Sequence, residues 1–304
     1  MEHRILLTGS NGLLGQKIVN LLRDRQHTQL WASARGTNRH PIRGGYTYVE
    51  ADLTDYSRWK DIFADFKPTT LIHTAAMTQV DQCETDHSLC DAINVTAVEQ
   101  LTSLCARYGT HMVHISTDFV FDGSAGPYRE TDAPAPVNYY GGAKLKAEQI
   151  IQASNPDHAI LRTMLLYGVT PAMSRSNIVL WARDSLMKGK EIRVVTDQVR
   201  CPTLAEDLAQ ATVTAAMREA RGLYHISGSE MMPIIDLARK VADFWDLDAS
   251  LIHEVDSPSL NQPARRPPVT GFILLKAQTE LGYQPHTLDQ GLALVDRQLQ
   301  ALEA

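Results

Sequence analysis

Apolar residues along the chain fall into short continuous runs that alternate with longer stretches in which they recur every three or four positions. The runs Arg4–Thr8, Gln29–Ala34, Thr70–Thr74, His111–Ser116 and His158–Leu166 read as strands, because a sheet covered on both faces needs apolar side chains at every position. Between them, helical spacing starts at about Leu14 and recurs near Tyr56–Phe66, near Ala92–Tyr108 and over Tyr140–Ala153. Strands alternating with helices make βαβ units, so the expected fold is α/β, a Rossmann-type doubly wound parallel sheet. Downstream the pattern loosens. Ser174–Lys188, Leu204–Met217, Ile234–Trp245 and Leu288–Leu299 predict helices, Ile192–Val195 and Leu223–Ile226 short strands, and the proline-rich Pro258–Pro268 a loop. A chain of 304 residues suits two units at about 150 residues each. The expected division is a nucleotide-binding domain over 1–168, with segments near 199–228 returning to it, and a smaller α/β substrate domain over 169–304.

The first strand runs into a glycine-rich turn. Ile5-Leu6-Leu7 is followed by Thr8-Gly9 and then by Gly12 and Gly15. A dinucleotide pyrophosphate needs this spacing: Gly9 for the tight turn, Gly12 for close backbone approach, Gly15 for helix–strand packing. The pyrophosphate would sit on the helix N-terminus, which places Asn11, Leu13 and Leu14 beside the cofactor.

An NAD site commonly has an acid at the end of the second strand, to hold the ribose 2′-hydroxyl. Here that strand ends Ala32-Ser33-Ala34-Arg35, with Arg39 close behind and no acid. Two guanidinium groups suit a 2′-phosphate, so NADPH is the expected cofactor, with NADH as the alternative. The competing reading leaves Arg35 and Arg39 as solvated charges on a loop. Asp52-Leu53 follows a third strand-like run, where Asp52 either accepts from the adenine amino group or caps the next helix.

Tyr140 and Lys144 are spaced i, i+4 on a predicted helix, which places both on one face. An ammonium beside a phenol favours the phenolate and brings the phenol closer to neutrality, as proton transfer to a carbonyl oxygen requires. Alone, the pair also describes an exposed helix surface; the upstream glycine turn supplies the context for chemistry.

With these features the chain resembles the extended short-chain dehydrogenases/reductases over nearly its whole length. The stretches that carry the resemblance are Gly9/Gly12/Gly15, Thr74-Ala75-Ala76, Ser116-Thr117-Asp118-Phe119-Val120-Phe121-Asp122-Gly123 and Tyr140-x-x-x-Lys144. Within that superfamily, Ser116–Gly123, Tyr128–Asp132, Pro136–Gly141, Pro202-Thr203 and Ala264–Pro268 are similar to the dTDP-4-dehydrorhamnose reductase family. The resemblance implies that Tyr140 is the proton donor, that Lys144 orients the nicotinamide ribose and lowers the Tyr140 pKa, and that Thr117 hydrogen-bonds the substrate carbonyl, with Ser116 able to share that role. It places Ala75 and Ala76 at the cofactor and Thr78 and Asn177 toward a nucleotide-sugar substrate, whose diphosphate needs cations that Arg200, Arg265 and Arg266 could supply; the other readings are that Arg200 pairs with an acid such as Asp197 or Glu206 and fixes its loop, and that Arg265 and Arg266 are a surface pair. Asn94 falls where the superfamily often carries an asparagine; a buried helix asparagine bonding backbone is the other reading. Leu165 stands where rhamnose-forming reductases commonly place tryptophan, and Arg200 where they often have a small residue. At both positions the chain is closer to the related methionine adenosyltransferase regulatory β subunit.

Composition narrows the remaining classes. A net charge of −6 with scattered basic residues offers no footprint for nucleic acid. Cys83, Cys90, Cys105 and Cys201 lack C-x-x-C spacing and read as reduced thiols, and the eleven histidines show no metal-ligand spacing. Without a leader-like or membrane-spanning apolar run, a cytoplasmic protein is expected, and a homodimer is left open. The leading expectation is an NADPH-dependent reductase of a 4-keto nucleotide sugar. The alternatives are a non-catalytic dinucleotide-binding regulatory subunit and a nucleotide-sugar epimerase or dehydratase.

Overall fold

The structure, a computed structural model, describes residues 2–155, 157–173 and 175–303. Seven parallel strands form the central sheet: β1 His3–Thr8, β2 Thr28–Ala34, β3 Thr47–Glu50, β4 Thr70–His73, β5 His111–Thr117, β6 His158–Thr163 and β7 Gly222–His225. Their order is β7-β6-β5-β4-β1-β2-β3. The continuous apolar runs arise because alternate side chains enter different cores. On β1, Ile5 and Leu7 pack with Leu14, Ile18 and Leu22 on one face, while Leu6 packs with Trp59, Phe63 and Leu101 on the other. From β1 the chain winds outward to β2 and β3, then returns to β4 and winds the opposite way. That reversal opens a crevice at the carboxyl ends of β1 and β4, where ligands of such sheets bind.

A separate core lies off the sheet. Val179, Leu180, Ile192, Leu237, Val241, Leu292 and Val295 cluster where the parallel pair Ile192–Val195 and Ile252–Val255 meets the helices Ile178–Met187, Ile234–Phe244 and Leu288–Glu303.

Three elements differ from expectation. The strand predicted over His158–Leu166 stops at Thr163, because Leu165 adopts a φ of +42° and turns the chain. It resumes as Leu166–Tyr167, paired with Thr203–Leu204, and the Thr203 hydroxyl donates to the Met164 carbonyl at 2.6 Å. The helix predicted over Ser174–Lys188 spans Ile178–Met187; Ser174 lies outside the described residues. The helix predicted near Ala92–Tyr108 opens with a π-turn, Ala92–Thr96, before the α-helix Ala97–Tyr108. Within that turn the buried Asn94 amide bonds the Met77 backbone twice, donating to its carbonyl and accepting from its N–H, each at 2.9 Å. Among the described residues no helix is long and apolar enough to cross a membrane.

Candidate active site at the sheet switch point

The glycine turn lies at the carboxyl end of β1. Gly9 has a φ of +74°, and a Cβ there would stand 2.8 Å from the Ala75 nitrogen, so both conformation and space demand glycine. A Cβ on Gly15 would run into the Gly9 carbonyl oxygen. The helix Leu13–Leu22 starts at Gly12 with no side-chain cap. Its first-turn N–H groups, among them those of Leu13 and Leu14, therefore lack a capping partner and sit at the positive end of the helix dipole. Gly9, Asn11, Gly12, Leu13, Leu14, Ala75 and Ala76 all line one cleft of about 850 Å³. A bare helix start beside a turn too tight for a Cβ fits a pyrophosphate.

At one end of this cleft stands Arg35, whose side chain is 83% exposed and whose nearest carboxylate, Asp52, is 4.0 Å away. Asp52 accepts from the Thr54 N–H at 2.9 Å and the Thr54 hydroxyl at 2.8 Å, and these bonds hold its pKa below the usual carboxylate range. It does not cap the following helix; Asp55 does, accepting from Arg58 N–H at 3.1 Å. Asp52 and Leu53 line the cleft. Asn11 fastens the arginine loop to the glycine turn: its amide donates to the Thr37 carbonyl at 2.9 Å, and its oxygen accepts from Arg39 N–H at 2.8 Å.

The helix Tyr139–Ser154 carries Tyr140 and Lys144 into the cleft wall. Asn138 caps it, accepting from Gly141 N–H at 2.8 Å, and Gly141 packs its backbone so closely on the Phe119 carbonyl that a Cβ would collide. Both side chains are buried, at 8% and 2% exposure. The Lys144 ammonium donates to the Ile115 carbonyl at 2.8 Å and to His114 Nε2 at 2.9 Å. Burial lowers its pKa to about 8. Burial instead pushes the Tyr140 phenol up, against a smaller lowering by the Thr117 hydroxyl. The expected lowering of Tyr140 by Lys144 is thus corrected: loss of hydration outweighs other influences on the phenol.

The two neighbouring hydroxyls differ. Thr117 donates to Asp118 at 3.1 Å and accepts from Phe119 N–H at 3.2 Å. Ser116 donates at 2.5 Å to Glu148, which receives Arg162 through two bonds of 3.0 and 2.7 Å. Although Ser116 lines the cleft, its hydroxyl is committed to this buried ion pair by a short bond, whereas the Thr117 hydroxyl is held by the longer bond to Asp118.

The residues expected at the substrate are spread more widely. Thr78 lines the cleft and accepts from Arg175 at 2.9 Å. Asn177 also lines it, but its amide caps the helix Ile178–Met187 at 3.2 Å and donates to the Gly168 carbonyl at 2.7 Å. Arg200 does not reach the cleft. Its side chain, 4% exposed, donates to the carbonyls of Val199, Pro267 and Pro268 at 2.8, 2.6 and 3.0 Å. It pairs with Asp118 at 3.4 Å, not with Asp197 or Glu206. A buried guanidinium must have its donors answered, and these acceptors consume them, so the structure corrects the expectation of a substrate contact at Arg200. Arg265 does not line the cleft either; it is exposed in a second hollow of about 440 Å³ with Gln198, Ser257 and Gln262, while Arg266 is clamped by Asp81 through two bonds of 2.7 Å. The sequence reading missed His73, His114, Asp118, Glu148 and Arg162. Two of these carried a local signal: Asp118 lies inside the Ser116–Gly123 stretch, and Glu148 lies four residues beyond Lys144 on the same helix face.

The RmlD substrate binding domain model matches residues 3–300. The chain is 31% identical over 296 residues to the probable low-salt glycan biosynthesis reductase Agl14 of Haloferax volcanii, covering 95% of this chain and 96% of that protein. It is 30% identical over 306 residues to the dTDP-4-dehydrorhamnose reductase of Aggregatibacter actinomycetemcomitans, covering 95% and 97%. The methionine adenosyltransferase 2 subunit beta of Xenopus laevis is 30% identical over 268 residues, covering 84% of this chain and 77% of that one. Among solved structures, the dTDP-4-dehydrorhamnose reductase of Bacillus anthracis in complex with NADP superposes with a TM-score of 0.83 at 26% identity, covering 98% of this chain and all of that one. Matched from its first strand to its last helix, with the glycine turn and the Tyr140/Lys144 helix set on one cleft, the chain belongs to the RmlD substrate binding domain family and is dTDP-4-dehydrorhamnose reductase-like.

Proposed function

We propose that the protein is an NADPH-dependent reductase that acts on a 4-keto nucleotide sugar. The observation that carries this reading is a single cleft with the uncapped glycine turn, the exposed Arg35 and the Thr117/Tyr140/Lys144 set all on its walls. Bound there, a reduced nicotinamide supplies hydride. Tyr140 delivers a proton to the carbonyl oxygen, and its burial-raised pKa keeps the phenol protonated at neutral pH, as a donor in the reducing direction must be. Thr117 turns its one hydroxyl proton from Asp118 to the same oxygen as charge develops on it. Lys144 has three N–H donors and spends two on Ile115 and His114, which leaves one for the cofactor ribose. Arg35 favours the 2′-phosphate of NADPH, and Arg265, exposed and unengaged by a carboxylate among the described residues, is the cation offered to the substrate diphosphate.

The test is to mix the protein with NADPH and a panel of 4-keto nucleotide sugars and to follow nicotinamide absorbance. Oxidation that depends on one of the sugars is expected. Tight NADPH binding with no oxidation by any member of the panel would overturn the reading in favour of a regulatory nucleotide-binding subunit. Sugar interconversion with no net NADPH consumption would point to an epimerase or dehydratase.

A further inference from the structure

Behind Lys144 lie two buried histidines with no part in the proposed chemistry. His114 on β5 and His73 on β4 are paired in the sheet register, and their rings stack with centroids 5.3 Å apart at 21°. Both are essentially inaccessible, at 0% and 1% exposure. His73 Nδ1 hydrogen-bonds the Thr8 hydroxyl at 2.7 Å, which ties the stack to the residue just before Gly9. His114 Nε2 receives the Lys144 ammonium at 2.9 Å. The inward nitrogens, His73 Nε2 and His114 Nδ1, have no hydrogen-bond partner among the described residues.

This arrangement fixes what His114 can be. An ammonium only donates, so Nε2 must accept, and the imidazole is neutral with its proton on Nδ1. Burial, and then the Lys144 charge, hold the His114 pKa well below its ordinary value, and burial holds His73 at about 3. His114 is therefore an acceptor throughout the working pH range. For a lysine stripped of water, an acceptor that bonds the ammonium more strongly than the neutral amine opposes the loss of that charge.

We propose that His114 is a positioning residue for Lys144: its Nε2, braced by the stack on His73, aims the ammonium into the cleft and keeps it charged. The proposal rests on the reading of Lys144 as the lysine that serves the cofactor. Other titratable groups around the pair are Tyr140 and Glu148 on the lysine's own helix, Cys90 on the helix His87–Asp91, Asp118 beyond Tyr140, and His158 on β6. Glu148 is already held by Arg162 and Ser116, which leaves His114 and the Ile115 carbonyl as the direct partners of the ammonium.

Lys144 loses its proton as the pH rises through about 8, so NADPH affinity and turnover should both fall on the alkaline side. His114→Phe keeps a ring for the stack and removes the acceptor; His114→Gln returns an acceptor near the position of Nε2. NADPH affinity, read from cofactor fluorescence, and turnover would be measured against pH for the wild type and both variants. The alkaline limb of His114→Phe is expected to move down by about one pH unit, the scale of one hydrogen bond to a charged group, and that of His114→Gln to stay near wild type. Coincident Phe and wild-type limbs, or equal shifts in Phe and Gln, would overturn the proposal. If the phenylalanine variant fails to fold, His114→Leu enters the same comparison. The affinity readout needs no turnover, so a wild type that binds NADPH but reduces no sugar would count against the proposed function and leave the His114 test standing.

Discussion

Tyr140 is buried deeply enough that lost hydration, not the neighbouring lysine, sets its pKa. A phenol that holds its proton at neutral pH acts as a donor, so Tyr140→Phe should fold and bind NADPH normally while turnover falls by about 10² or more, the usual scale for losing a general acid. Near wild-type turnover in a steady-state assay would remove Tyr140 from the chemistry. Arg200 shows the opposite lesson. Its charge suggested a substrate clamp, yet its donors face three carbonyls and Asp118 inside the protein. Arg200→Ala would leave the Asp118 carboxylate buried without its cation and should cost about 3–5 kcal/mol of stability, visible as a lowered Tm, with substrate KM unchanged in the folded fraction. A raised KM at wild-type Tm would restore the clamp.

At the scale of elements, the strand–turn–helix from His3 to Leu22 was readable because Gly9 and Gly15 each answer a local demand for space that a side chain would fill. Gly15→Ala tests the tightest of these contacts. A methyl group driven against the Gly9 carbonyl should push helix and strand apart, with about 1–3 kcal/mol lost to overpacking and NADPH affinity reduced along with it. Unchanged affinity by titration would show that the turn tolerates the shift. The helix Tyr139–Ser154 was equally legible from its spacing, but what holds it in place was not. Its anchor is the Glu148–Arg162 pair, reached across to β6, and no local pattern ties residues on different elements together. The short helices Val80–Thr85 and His87–Asp91 escaped notice because neither is long enough to display a helical period.

For the whole molecule, the strand order brings together residues far apart in the chain. Arg35 lies after β2, Thr74 after β4 and Tyr140 beyond β5, and only the reversal between β1 and β4 sets them around one cleft. The charge at the Arg35 end should be read by the cofactor. NADPH is expected to bind the apo protein more tightly than NADH, and the preference should shrink as salt screens the exposed guanidinium. Paired titrations at low and high ionic strength measure this, and tighter NADH binding would reverse the assignment.

The sequence by itself determined the α/β class, the parallel sheet, the place of the glycine turn and the Tyr140/Lys144 spacing. All of these are local: hydrophobic period reports burial along one element, and turn chemistry reports backbone conformation at one residue. Tertiary structure alone decided which charged groups are free. Arg35 and Arg265 remain exposed while Arg200 and Arg266 are consumed by carboxylates and carbonyls, although all four are arginines beside loops. It also decided that His114 stands behind Lys144, since β5 and the helix Tyr139–Ser154 meet only when the sheet is covered. Burial and partnership depend on segments distant in sequence, and they set pKa and hydrogen-bond capacity, which the identity of a residue alone leaves open.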